Sequence, residues 1–270
     1  MSGRLVVCPT PIGNLEDVTL RVLSALRDAD VVACEDTRRT RVLLDRYGVS
    51  AKLLSYHEHN ERSRASELVG RMRDGAVVAL VSDAGMPLVS DPGYLLVHAC
   101  VAAGLPVEVL PGPSAAITAL VASGLPADEW RFHGFLPRKK GELRELLSSA
   151  GGTLVAFESP RRLPATLALL AELDPERETV VCRELTKAYE EVVRGSAGEL
   201  AGRYADKPPK GEIVLVLAPS ARRPSEDDPA ALEALRKLVD AGAHPRKAAT
   251  VVASLTGTSA NSLYRRLTSE

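Results

Sequence analysis

Two short apolar runs, residues 76–81 and 107–110, each end in a loop stiffened by proline and glycine, and a helical stretch over 94–103 lies between them. A strand, a crossover helix and a second strand of this kind form a βαβ unit with parallel strands. The two loops read Ser82-Asp83-Ala84-Gly85-Met86-Pro87 and Pro111-Gly112-Pro113-Ser114-Ala115. Proline fixes φ and removes a donor, while glycine lets the main chain approach a ligand closely. In open α/β sheets, ligands sit beyond the carboxyl ends of the strands. The segment is therefore suited to present backbone groups and one carboxylate to a small molecule.

The alternation extends on both sides. Strand-like runs at 5–8 and 31–34 and helical stretches at 19–27, 40–47 and 61–73 precede the unit, with Asp74-Gly75 and Gly104 as helix stops. This pattern predicts α/β architecture with a mostly parallel first sheet. After a helix over 114–123, closed by Gly124, strands are expected at 131–135, 153–158, 179–182, 190–194 and 213–217, several joined without a helix. Helices are expected at 138–149 and 164–173, giving a second, more mixed sheet. Residues 218–229 form a polar, proline-rich linker, and helices follow at 230–241, 246–255 and 259–268, punctuated by Gly242 and Gly257. The division expected is 1–113, 114–220 and a helical appendage over 221–270. The appendage resembles a helix-turn-helix and carries Arg246, Lys247, Arg265 and Arg266, which suit a phosphate-facing surface or a solvated packing tail equally.

Composition narrows the class. With 34 basic and 35 acidic residues and a net charge of −1, any polyanion must be met by a local patch. Arginine outnumbers lysine 26 to 8, which fits phosphate contacts and equally a GC-rich coding bias. Cys8, Cys34, Cys100 and Cys182 are scattered without a C-x-x-C pair, so buried free thiols in a reducing compartment are expected. A strand begins within four residues of the start, and no apolar stretch approaches the roughly 18 residues of a membrane span. A cytoplasmic protein without a signal peptide is the expectation.

Two further strand ends carry similar loops: Pro9-Thr10-Pro11-Ile12-Gly13-Asn14-Leu15 and Glu158-Ser159-Pro160. Loops of this type in both halves suggest a cleft between them. Neither G-x-G-x-x-G nor G-x-x-x-x-G-K-[ST] occurs, which argues against ordinary dinucleotide binding and nucleotide hydrolysis. His57 and His59 are spaced like a metal pair but lack an evident third ligand, so no metal is expected. In Cys34-Glu35-Asp36-Thr37-Arg38-Arg39-Thr40, Asp36 or Thr37 suits a helix N-cap. Capping alone does not explain Glu35 beside it or the arginine pair just after. A second charged cluster, Arg183-Glu184-Leu185-Thr186-Lys187-Ala188-Tyr189-Glu190-Glu191, reads as a site or as a salt-bridged turn. Arg138-Lys139-Lys140 is the most basic triplet.

Taken in order, PTPIGNL, CEDTRRT, SDAGMPLVSDPG, PGPSA, FESPRR, RELTKAYEE and KGEIVLVL resemble the small-subunit ribosomal RNA cytidine 2′-O-methyltransferases, a branch of the tetrapyrrole methylase superfamily. The resemblance runs from about residue 5 to 217 and continues into the appendage around Asn261-Ser262-Leu263-Tyr264. CEDTRRT and SDAGMPLVSDPG mark the branch, whereas PGPSA marks only the superfamily. It implies two α/β domains with S-adenosyl-L-methionine in the cleft between them, a homodimer, and 16S ribosomal RNA, within the small ribosomal subunit, as the partner. Cofactor contacts are implied at Pro11, Asp83, Ala84, Gly85, Met86, Pro87, Ser114, Ala115, Phe157, Ser159, Leu185, Gly211, Glu212 and Ile213. Met86 stands where threonine is common, a change that backbone contact would tolerate.

A sulfonium methyl is already activated, so the protein must align the ribose 2′-hydroxyl and help remove its proton. Glu35, Asp36 and Lys187 are the candidates for that work. Arg38, Arg39, Arg138, Lys139, Lys140 and Lys187 are candidates for phosphate contact. Methylation of a tetrapyrrole carbon, a non-catalytic ribosome-binding factor and a metal-dependent hydrolase are the alternatives.

Overall fold

A computed structural model describes residues 3–149, 151–220, 229–256 and 258–268. Strands β1 (Arg4–Val7), β2 (Val31–Cys34), β3 (Leu53–Ser55), β4 (Val77–Leu80) and β5 (Val107–Val109) form one sheet in the order β3-β2-β4-β1-β5, parallel throughout. Helices α1 (Leu20–Asp28), α2 (Thr37–Arg46), α3 (Glu61–Arg73) and α4 (Tyr94–Ala102) connect them. Both faces of this sheet are covered, which explains the near-continuous apolar runs. Leu5, Val7, Val78 and Leu80 pack under α3 and α4, while Val6, Cys8, Val32 and Ala79 pack under α1 and α2. Each fully buried leucine here contributes on the order of 1.5–3 kcal/mol.

The second sheet contains β6 (Trp130–Phe135), β7 (Thr153–Glu158), β8 (Glu178–Arg183), β9 (Glu191–Ser196) and β10 (Ile213–Leu217) in the order β6-β7-β10-β8-β9. Only β6 and β7 run parallel; the other pairings are antiparallel. Helices α6 (Lys140–Ser148), α7 (Leu163–Leu173) and α8 (Ala197–Tyr204) cover one face. The other face is covered by α5 (Ala115–Ser123) and by Ile12 from the loop after β1. That apolar plug brings the loops of the first sheet to the second.

Helices α9 (Pro229–Asp240), α10 (Pro245–Thr256) and α11 (Ala260–Thr268) share a core of their own around Leu232, Leu235, Val252 and Leu263. Most of the proline-rich linker, and Gly257, fall outside the described residues. All four cysteines are free and buried, and burial pushes the Cys8 thiol up to about 12.

Three expectations need correction. The sequence reading lacked β3, an edge strand of three half-buried residues with no alternation to betray it. It also lacked α8, although Ser196 and Glu199 form a reciprocal capping box at its start, a legible signal obscured by Gly198 and Gly202. Consequently only β8 and β9 are joined without a helix. Finally, α2 begins at Thr37, three residues early, because Asp36 caps it.

Candidate active site

The carboxyl ends of β1 and β4 lie side by side, and their loops pair with each other. Thr10 and Gly85 exchange backbone hydrogen bonds of 2.9 Å in each direction. The Thr10 hydroxyl also donates to the Ser82 carbonyl at 3.0 Å. Gly85 has φ +77°, a conformation that glycine adopts without steric cost. The chain then passes through Leu88 and Ser90, both with positive φ, before Asp91, Pro92 and Gly93 lead into α4. Non-glycine residues in that region cost on the order of 1–3 kcal/mol each and persist only where the surroundings impose them.

The second sheet supplies the end of β7, the turn after β8 and the approach to β10. Glu184 and Thr186 in that turn also have positive φ. The Glu184 carboxylate accepts from the Glu212 N–H at 2.8 Å and from Lys187 Nζ at 2.9 Å, and Glu212 accepts from the same ammonium at 2.8 Å. The Asn14 N–H donates to Thr186 Oγ1 at 3.1 Å, so the turn is tied to the loop after β1.

Between these loops lies a cavity of about 420 Å³, within the range of small-molecule sites. Ala84, Gly85, Met86, Ser114, Ala115, Phe157, Ser159, Leu185, Gly211, Glu212 and Ile213 line it, all of them named from the sequence. Pro11, Asp83 and Pro87 do not. The Asp83 carboxylate is engaged on the other side of its loop, accepting from the Asp36 N–H at 3.0 Å and pairing with Arg39 at 3.4 Å. Lining residues that the sequence reading missed include Ile12, Val89, Ser90, Asp91, Phe135 and Glu158. Asp91 sits inside the quoted SDPG motif, so its signal was present but not singled out. The Phe132 and Phe135 rings meet Phe157 edge to face at 4.9 and 5.5 Å.

None of the three catalytic candidates lines this cavity. Asp36 caps α2, accepting from the Arg38 N–H at 2.8 Å while its other oxygen takes the Arg38 guanidinium at 2.8 Å. Those bonds hold its carboxyl down to about 2, which makes it a poor base. Lys187 is opposed by burial, but Glu184 and Glu212 outweigh that and raise its pKa, so it stays a charged ammonium. It borders a separate hollow of about 600 Å³ with Gly13, Asn14 and Arg46. Glu35 is half-buried and does not line the cavity; burial and then Asp83 push its carboxyl up.

The basic candidates are dispersed. Arg38 is exposed beside Asp36, and Arg39 beside Asp83. Arg138, Lys139 and Lys140 are exposed before and at the start of α6, with Lys139 paired to Glu142 at 2.9 Å. Arg246 lies 5.2 Å over the Tyr264 ring, Lys247 and Arg265 are exposed, and Arg266 is half-buried. The His57 and His59 rings lie edge to face at 5.9 Å, and no group of three potential metal ligands occurs among the described residues. Among them, too, no helix is long and apolar enough to cross a membrane.

Because Asp83 bridges two loops rather than facing the cavity, Asp83→Ala is expected to act indirectly. It should lower stability by about 1–3 kcal/mol, the cost of leaving a donor unmet, and weaken ligand binding in the cavity. Urea unfolding and calorimetry check this; unchanged values in both would show the bridge to be dispensable.

A family model for tetrapyrrole (corrin/porphyrin) methylases matches residues 4–201. The chain belongs to the tetrapyrrole methylases. As a tetrapyrrole methylase it is a methyltransferase that uses S-adenosylmethionine. Ribosomal RNA small subunit methyltransferase I of Mesorhizobium japonicum is 47% identical over 97% of this methylase and 90% of the relative. The protein of that name from Escherichia coli O157:H7 is 43% identical over 97% and 94%. Among solved structures, uroporphyrin-III-C-methyltransferase from Thermus thermophilus superposes with a TM-score of 0.59, 24% identity and coverage of 80% and 94%. That likeness shows the shared fold.

Proposed function

We propose that this methylase transfers a methyl group from S-adenosylmethionine to the 2′-hydroxyl of a cytidine ribose in 16S ribosomal RNA. The observation that carries the reading is the 47% identity over nearly the whole chain, appendage included, to a ribosomal RNA small subunit methyltransferase. The likeness to a uroporphyrin methylase, at 24%, reaches only 80% of the chain.

The cavity fits the cofactor chemically. Phe135 and Phe157 offer ring surface to a purine, and Gly85, Ala115 and Gly211 let main-chain groups reach polar edges. Glu212 brings negative charge toward the cofactor's cationic groups. When bound, the cofactor supplies a methyl carbon that is already activated by its positive sulfur. The protein's own share is to orient the ribose, exclude water and accept one proton.

The exposed cations Arg38, Arg39, Arg138, Lys139 and Lys140, with Arg246, Lys247, Arg265 and Arg266 on the appendage, would contact the RNA. Residues 1–113, 114–220 and 221–270 serve as two cleft-forming units and an RNA-directed module. The near-neutral net charge suits a folded small subunit better than naked RNA, and a cytoplasmic enzyme belongs to the same reading.

A homodimer is supported by apolar side chains left exposed on neighbouring elements of the chain. Helix α4 exposes Tyr94 and Val101, seven residues apart, and α5 exposes Ile117 and Val121, four apart. Such spacings put each pair on one helix face.

The test supplies labelled S-adenosylmethionine with three acceptors: assembled small subunits lacking the modification, naked 16S RNA, and a precorrin. Label in the small subunits supports the reading. Label in the precorrin alone overturns it.

A further inference from the structure

Three carboxylates gather where the loops after β2 and β4 meet: Glu35, Asp83 and Asp91, each within electrostatic reach of the others. Their surroundings separate their roles. Asp83 is held by the Asp36 N–H and by Arg39. Glu35 does not line the cavity, and Arg39 and His57 oppose the charges of Asp83 and Asp36 on it. Asp91 alone of the three lines the cavity, and among the described residues it forms no ion pair. Its position is imposed by strained backbone, with Leu88 at φ +74° and Ser90 at φ +67° immediately before it. Gly93 follows at φ +138°, where a Cβ would come within 2.8 Å of the Leu88 side chain. Strain of this kind is retained where a side chain must be held in one place.

We propose that Asp91 is the general base of the methyl transfer, its carboxylate on the cavity wall taking the proton from the acceptor ribose hydroxyl. The assignment rests on the function proposed above. The 2′-oxygen gives a lone pair to the methyl carbon as its proton passes to Asp91. The electron pair of the broken carbon–sulfur bond stays on sulfur, which becomes a neutral thioether, and the proton then leaves Asp91 for water. Electrostatics suit this role. Burial, followed by the charge of Glu35, pushes the Asp91 carboxyl up to about 6, with Asp83 adding to the rise and the Ser82 hydroxyl restraining it. A carboxylate so placed is a stronger base than an ordinary one, yet is mostly ionised at neutral pH. Glu158 and Glu212 face the cavity from the second sheet, but Glu158 is held by the Ser159 N–H and Thr166, and Glu212 by Lys187.

Asp91→Asn and Asp91→Glu, assayed with unmodified small subunits, test the proposal. Asp91→Asn is expected to lower kcat by about 10²–10⁴-fold while S-adenosylmethionine affinity, measured by calorimetry, stays within about threefold of the parent. Asp91→Glu should restore part of the rate. The unaltered enzyme should lose kcat below an apparent pKa near 6, as protonation disables the base.

A readout independent of activity is thermal unfolding. The folded pKa lies above the unfolded value, so the stability linked to this group is present at low pH and lost as pH rises through about 6. Asp91→Asn should therefore melt higher than the parent at pH 7.5, by about 4 °C, and the gap should narrow as pH falls through about 6 and close only near the ordinary carboxylate value of 3.8. Asp91→Asn activity within threefold of the parent would overturn the assignment. So would a loss of cofactor binding, which would make Asp91 a cofactor ligand, or equal melting across that pH range. An unaltered enzyme that binds S-adenosylmethionine but methylates no RNA would overturn the function itself, and the assignment with it.

Discussion

Gly211→Val is expected to weaken S-adenosylmethionine binding at least 100-fold while leaving the fold in place. Gly211 lines the cavity with φ +98°, a conformation that a β-branched residue scarcely adopts. A Cβ there would lie 2.5 Å from Glu184 Cγ and Cδ. The Glu184 side chain cannot swing clear at low cost, because its carboxylate is fixed by the Glu212 N–H and Lys187. Valine therefore drives the 211–213 wall and the turn after β8 apart, at a backbone cost of on the order of 1–3 kcal/mol plus the broken bonds. A hundredfold loss corresponds to about 2.7 kcal/mol, within that sum. Gly211 is itself exposed and precedes β10, so the second sheet's core is not disturbed. Calorimetry reads the affinity and far-ultraviolet circular dichroism the fold; affinity within threefold would remove residues 211–213 from the cofactor wall.

Removing residues 221–270 should separate cofactor binding from RNA methylation. The core of α9, α10 and α11 contains only their own side chains, while the cavity is built wholly from residues 12–214. The shortened chain should bind S-adenosylmethionine within about threefold of the full chain. With small subunits its kcat/KM should fall by about tenfold or more at 0.15 M salt, through loss of phosphate contacts. Since those contacts release counterions, the full chain should lose activity faster than the shortened one as salt is raised, so the deficit should narrow. Equal methylation by both chains would make the appendage a packing element only.

The main architecture was legible in the sequence because both sheets have buried faces. Runs such as Val31–Cys34 and Ile213–Leu217 are wholly apolar, and their bounds are read to the residue. Loops at strand ends were legible through Pro and Gly, and so most of the cavity's backbone-rich wall was too. Side-chain allegiance was not legible. Asp83 looked like the carboxylate offered to a ligand, yet its partners Asp36 and Arg39 come from a distant loop. Asp36 and Lys187 looked reactive, but each is neutralised, by Arg38 and by the pair Glu184 and Glu212. Asp91 became distinguishable only when folding left it on the cavity wall beside Glu35.

Nucleoside mass spectrometry of small-subunit RNA from cells with and without this protein decides whether it methylates a cytidine ribose. One 2′-O-methylcytidine per 16S molecule is expected to be gained when the protein is present, and restored in the deficient RNA by the purified enzyme with S-adenosylmethionine. An identical nucleoside profile in both RNAs, with the purified enzyme adding no methyl to the deficient one, would contradict the proposed function.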